Sequence, residues 1–232
     1  MTVANAESGF AQVGEARLYY EVAGAGTPFV MIHAGVADSR QWDNEFAAFA
    51  TAYRVVRYDK RGFGRSEPVE EEYTDLQDLR ELLDRLALGD SAVMMGCSMG
   101  GGLAMDFTLE RPDRVKALIM VSSGPGGLRL DVPELAEFEE AEGAYKAGDL
   151  DRVAELETHI WFDGVTRNPD EVNPTMRALA YDMNRLALAH DAKRLGKRLP
   201  DTKTLAAERL NELKVPLLVI VGEHDEPYSL AA

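Results

Sequence analysis

AVMMGCSMGGG, residues 92–102, is the stretch on which the fold turns. Its opening AVMM is apolar without alternation, the pattern of a strand buried on both faces of a parallel sheet. From Gly100 to Glu110 the spacing turns helical, and Arg111-Pro112 closes the segment. Ser98 therefore sits at a sharp strand-to-helix turn. The glycines at 96 and 100 let the backbone bend tightly enough to hold Ser98 in a strained conformation, with Oγ at the helix N-terminus. There the helix dipole and an unpaired N–H favour a developing anion, which makes the Met99 N–H a candidate oxyanion donor. Cys97 is the stronger nucleophile by nature. It occupies the flanking position, however, and is expected to point away as a small buried filler.

Working outward, short apolar runs recur at 17–22 (RLYYEV), 29–32 (FVMI), 55–58 (VVRY), 117–121 (ALIMV) and 217–221 (LLVIV). Between them, 73–88 carries Leu76, Leu79, Leu82, Leu83 and Leu86 at helical spacing, one apolar stripe facing a sheet. Strands alternating with helices predict a doubly wound, mostly parallel α/β sheet with right-handed crossovers. After Ser123 the pattern changes. Gly124-Pro125-Gly126-Gly127 breaks the chain, and from Val132 to about Leu210 the pattern is helical with almost no strand-like run. Glu134, Glu137, Glu139, Glu140 and Glu142 at its start read as a solvated helix face. The predicted division is a core over 1–123, a helical cap over 124–210 and a return to the core over 211–232. A helical insertion before the last strand belongs over the carboxyl edge of such a sheet, where ligands bind. Trp161, Phe162, Met176 and Tyr181 are then candidate pocket residues for a small, largely apolar ligand. The competing reading is a plain helical subdomain whose aromatics fill its own core.

Composition narrows the function classes. With 25 Lys and Arg against 40 Asp and Glu, the formal charge of −15 repels phosphate backbones and anionic headgroups, so neither nucleic acid nor a membrane is an expected partner. The single cysteine excludes an internal disulfide and suits a reducing cytoplasm. No N-terminal signal is visible, and the longest apolar stretch, 215–221, contains Pro216 and is far short of a membrane span. No His, Cys and carboxylate cluster has metal-ligand spacing, and no cofactor is expected.

Three further segments join the one at Ser98. FVMI is followed by His33-Ala34-Gly35-Val36, with Ser39 and Trp42 beyond; VVRY is followed by DKRGFGRS at 59–66; LLVIV is followed by Gly222-Glu223-His224-Asp225. Together they make the chain resemble the α/β-hydrolase fold superfamily, from about residue 14 to the C-terminus. Within it the likeness is to small esterase, lactonase and perhydrolase-like enzymes, with 53–120 similar to 3-oxoadipate enol-lactonase-like hydrolases. The resemblance implies Ser98 as nucleophile, Asp225 as the catalytic acid, and Met99 as one oxyanion donor. Ala34 stands where the family has glycine and a glycine follows one position later, so the second donor is Gly35 or Val36. His33 is expected to hold its loop by a hydrogen bond, and the 59–66 turn to be architectural. Serine in place of aspartate at the turn argues against haloalkane dehalogenase and epoxide hydrolase chemistry. The implied reaction is hydrolysis of a carboxylic ester or lactone.

The family order is Ser, acid, His, and no histidine follows Asp225. His224 precedes the acid, while His159 and His190 fall in the predicted cap. Two expectations follow. One is a C-terminally truncated hydrolase, impaired unless a base is supplied; the closing YSLAA, reading as the start of a helix, favours it. The other is a non-catalytic form that binds ligands or partners. In either case 217–221 is left as an uncovered apolar edge strand, a site for self-association.

Overall fold

The computed structural model describes residues 6–89, 91–133 and 135–232. Nine strands are present among them: β1 (Glu7–Val13), β2 (Ala16–Ala23), β3 (Pro28–Ile32), β4 (Arg54–Tyr58), β5 (Glu72–Tyr73), β6 (Ala92–Cys97), β7 (Val115–Val121), β8 (Lys197–Arg198) and β9 (Leu217–Ile220). The α-helices are α1 (Asp43–Phe49), α2 (Asp75–Arg85), α3 (Met99–Glu110), α4 (Ala136–Ala147), α5 (Leu150–Thr158), α6 (Pro174–Asp191) and α7 (Pro227–Ala231).

Seven strands form one sheet in the order β1-β2-β4-β3-β6-β7-β9, and β5 pairs with β8 apart from it. From β4 to β9 every pairing is parallel; β2 joins β4 antiparallel, and β1 joins β2 as a hairpin. The doubly wound, mostly parallel sheet predicted from the apolar runs is therefore present. One face carries the leucine stripe of α2, with Leu76, Leu79 and Leu82 buried against Met94, Leu103 and Phe107. The other buries Trp42 and Phe46, from the α1 side, against Phe29, Met31 and Val55. Helices on both faces are what let these strands be apolar throughout.

Two departures from the sequence reading have local causes. β1 is an additional strand whose polar, glycine-containing run ESGFAQV lacks the apolar density of the others. Gly14 makes its turn at φ +52°, so that Val13 pairs with Ala16. The helical pattern expected up to Leu210 ends with α6: Arg194 and Gly196 both take positive φ, and short 3₁₀ turns and β8 carry the chain to β9. At the sheet edge β9 is apolar and uncovered, with Leu218 53% and Val219 54% exposed.

Candidate active site

Ser98 lies between β6 and α3 with φ 48° and ψ −116°, a backbone conformation that costs of the order of 1–3 kcal/mol for a residue with a Cβ. The flanking glycines make the turn possible. A Cβ at Gly96 would stand 2.1 Å from the Gly100 carbonyl oxygen, and one at Gly100 would stand 2.4 Å from that of Ile32. The Ser98 N–H donates to the Val121 carbonyl at 2.9 Å, and the Ser98 carbonyl accepts from Gly101 N–H at 2.9 Å and Gly102 N–H at 3.1 Å. Met99 opens α3, so its N–H has no intrahelical acceptor.

The loop after β3 faces this turn. The Ala34 N–H is consumed by Gln41 Oε1 at 2.9 Å, whereas those of Gly35 and Val36 have no protein acceptor among the described residues. Gly35 also approaches Met99 closely, since a Cβ there would be 2.5 Å from Met99 Cε. His33 holds the loop from beneath: Nδ1 donates to the Ala34 carbonyl at 2.7 Å and Nε2 accepts from the Lys60 N–H at 2.9 Å. Burial first, and the Lys60 charge second, hold the His33 ring well below its ordinary pKa, so it is neutral. In the 59–66 turn Asp59 accepts from the Ser39 N–H at 2.7 Å and the Arg65 N–H at 2.8 Å. Arg61 grips Asp78 with two bonds of 2.9 Å.

Lys60, in that turn, reaches the residue that follows Ser98. Its Nζ donates to Met99 Sδ at 2.8 Å and lies 3.7 Å from Asp75 Oδ2. Burial lowers its pKa from 10.5 to about 8. A base whose folded pKa is depressed binds fewer protons folded than unfolded between those two values, so stability rises with pH across them. Burial of the ammonium penalises the fold below about pH 8, and the penalty is relieved toward pH 10.5. From pH 8 to 10 the wild type is expected to gain about 2 kcal/mol relative to Lys60→Met. Urea unfolding midpoints of the two proteins across that range check it; parallel profiles would sink the assignment. Asp75 keeps Arg198 at 3.0 Å in the variant, so no carboxylate is orphaned.

Asp225 stands after β9. Its Oδ2 accepts from Ser122 Oγ at 2.6 Å and from the Gly222 N–H at 3.0 Å. Ser122 itself has φ 45° at the end of β7.

A cavity of about 430 Å³ brings these pieces together, with Gly35, Val36, Ser98, Met99 and Asp225 all in its lining. Trp161 and Phe162 enter from the π-helical turn His159–Asp163 that follows α5, and Met176, Leu179 and Met183 from α6. Tyr181 does not line it. The α6 residues that do so recur every three or four positions, and Tyr181 falls off that stripe, near Asp151 and Arg185. Cys97 borders the cavity, contrary to its reading as a residue pointing away. Burial pushes its thiol up to about 11, which leaves it a poor nucleophile. Sequence reasoning missed Gln41, Ser122, Glu157 and Asn184. Asn184 sits four residues after Ala180 on the α6 stripe, a weak signal; the others belong to no motif.

None of the four histidines lines the cavity. His33 lies beneath the loop, His159 is 3.6 Å from Asp163, His190 Nδ1 is 3.2 Å from the Gly62 carbonyl, and His224 is 3.6 Å from Glu223. Among the described residues no group of His, Cys, Asp and Glu has the arrangement of a metal site, and no helix is long and apolar enough to cross a membrane.

Residues 27–229 match the alpha/beta hydrolase fold family. The chain is 30% identical over 222 residues to a 2-hydroxy-6-oxononadienedioate/2-hydroxy-6-oxononatrienedioate hydrolase of Paraburkholderia phymatum, covering 91% of this chain and 75% of that protein. In structure it is similar to a bromoperoxidase of Bacillus anthracis, with TM-score 0.75, 24% identity, and coverage of 94% of this chain and 82% of the other. It is also similar to the enol-lactonase of Burkholderia xenovorans, with TM-score 0.73, 22% identity, and coverage of 95% and 85%. With the sheet order, the strained serine at its carboxyl edge and the match over 27–229 in agreement, the chain belongs to the alpha/beta hydrolase fold family.

Proposed function

We propose that the chain is a serine hydrolase for carboxylic esters or lactones, with Ser98 as nucleophile. The carrying observation is Ser98 at φ 48° on the cavity wall, beside N–H groups with no protein acceptor among the described residues. Ser98 Oγ attacks the substrate carbonyl carbon while the Met99 N–H, with that of Gly35 or Val36, receives the oxyanion. The acyl-enzyme formed when the alcohol leaves is then hydrolysed by water. Asp225 orients the base that takes the serine proton. No histidine lines the cavity, so that base has to be supplied and the chain's own turnover is impaired. Residues 124–210 act as the cap over the core formed by 1–123 and 211–232, with Trp161, Phe162 and Met176 shaping the acyl site. The dioate named for the Paraburkholderia relative carries two carboxylates, and among the described residues no cationic side chain lines this cavity, so an ester or lactone without a carboxylate suits it better.

A fluorophosphonate is expected to label Ser98 one to one, slowly, with no label on Ser98→Ala. Labelling elsewhere in the chain would overturn the assignment. The absence of a cavity histidine favours a second reading, a ligand-binding protein without turnover. A steady, Ser98-dependent release of p-nitrophenol from a short ester excludes it.

The exposed apolar strand β9 supports self-association through its edge. Sedimentation is expected to show concentration-dependent association that Val219→Lys abolishes. Association unchanged by the substitution would place the contact elsewhere.

A further inference from the structure

We propose that Glu157, held by Asn184 in the cavity wall, makes this site selective for apolar ligands that end in a cationic hydrogen-bond donor and disfavours those that end in a carboxylate. The inference rests on the cavity being the substrate site of the hydrolase proposed above.

Among the described residues three carboxylates reach the cavity, and no Lys, Arg or His does. Two of the three each accept two protein donors. Asp225 Oδ2 takes its donors from Ser122 and Gly222. Glu226 caps α7, accepting from the Ser229 N–H at 2.6 Å and the Tyr228 N–H at 2.7 Å. Glu157 has one protein donor among the described residues, Asn184 Nδ2 at 2.8 Å to its Oε2. Its Oε1 has none. Asn184 is itself 3% exposed, so the carboxylate is fixed from behind by a side chain with little freedom to leave.

The surroundings decide what can approach it. Leu179, Ala180, Met183 and Ile160 line the same cavity, and burial raises the Glu157 pKa while the Asn184 bond pulls it down. An acceptor in apolar surroundings gains most from a donor delivered by the ligand, because leaving it unpaired carries the full desolvation penalty. A ligand carboxylate meets like charge with no cation to offset it. The nearby cations are engaged elsewhere. Lys60 is buried behind Met99, and Arg177 is bound to Asp163 at 3.0 Å and to Glu155 at 2.7 Å. A ligand whose apolar chain lies along the Met and Leu side chains and whose ammonium meets Glu157 Oε1 satisfies both halves of the wall.

Calorimetric titration of the full chain with hexylammonium, hexan-1-ol and hexanoate at neutral pH tests this without calling on any chemistry at Ser98. Hexylammonium is expected to bind at least about tenfold more tightly than hexanoate. A formal charge of −15 favours cations over the whole surface, so the decisive quantity is the change on Glu157→Gln. That isosteric substitution is expected to weaken hexylammonium about tenfold and to leave hexan-1-ol within about threefold. Retained hexan-1-ol binding shows that the variant is folded with its cavity intact. Should Glu157→Gln not bind hexan-1-ol, Glu157→Met takes its place, which must bind hexan-1-ol and lose the ammonium preference. Hexanoate binding as tightly as hexylammonium, or a preference that survives Glu157→Gln, overturns the proposal. Either result leaves fluorophosphonate labelling of Ser98 unaffected, so failure here is distinct from failure of the hydrolase reading.

Discussion

Imidazole supplied in solution is expected to accelerate p-nitrophenyl acetate cleavage by this chain about tenfold, and Ser98→Ala to remove the whole of that gain. The site holds a serine at a helix N-terminus, N–H groups on two segments with no protein acceptor among the described residues, and an aspartate already positioned by Ser122 and Gly222. What the cavity lining does not supply is an imidazole. A positioned general base contributes about 10²–10⁴ to rate, and a diffusing one recovers only part of that because it must be captured and oriented. Imidazole also cleaves the ester unaided, so the rate with Ser98→Ala is the reference. An equal imidazole response in wild type and variant would mean that Ser98 is not the nucleophile. Asp225→Asn is expected to shrink the response while sparing slow fluorophosphonate labelling, because the role proposed for the carboxylate is to hold the base.

Gly100→Ala is expected to lower the unfolding free energy by about 4 kcal/mol, at the upper end for a single substitution. Its Cβ would stand 2.4 Å from the Ile32 carbonyl oxygen and 2.5 Å from that of His33. Both are backbone atoms at the end of a central strand, so no rotamer change relieves the clash. Relief requires α3 to move away from β3, which also separates Met99 from the loop at Gly35. Gly102, two positions on in the same helix, has nothing within 4 Å of a Cβ. Gly102→Ala is expected to stabilise by about 0.5–1 kcal/mol through helix propensity alone. Urea unfolding of the pair separates close approach from propensity, and similar midpoints would show that the strand-to-helix turn tolerates a side chain at 100. Fluorophosphonate labelling is expected to be lost with Gly100→Ala and retained with Gly102→Ala.

Ionisation behaves as the burial pattern requires. Lys60 and His33, both enclosed beneath the loop, have their charged forms disfavoured, and burial is the leading cause in each. The consequence is a neutral imidazole that accepts from the Lys60 backbone, and an ammonium that loses its proton as pH rises through about 8. His33 therefore reads as a fastener, in keeping with the hydrogen-bonding role expected of it.

The sequence by itself determined the architecture and the order of the motifs, because both are local. AVMM, FVMI and ALIMV are apolar without alternation since each strand is buried on both faces, and the α2 leucines recur every three or four residues since one stripe meets the sheet. The glycines around Ser98 are legible for the same reason, as a tight turn demands them from within a few residues. Tertiary structure decided what depends on which distant groups meet. Tyr181 looked like its aromatic neighbours until the rotation of α6 turned it from the cavity, and Cys97 bordered the cavity despite its flanking place in the motif. Gln41, seven residues on, takes the Ala34 N–H, while those of Gly35 and Val36 have no protein acceptor among the described residues. Glu157 and Asn184 carry no motif at all. They lie on separate helices, and only the packing of α5 on α6 brings a carboxylate and its amide partner into one apolar wall.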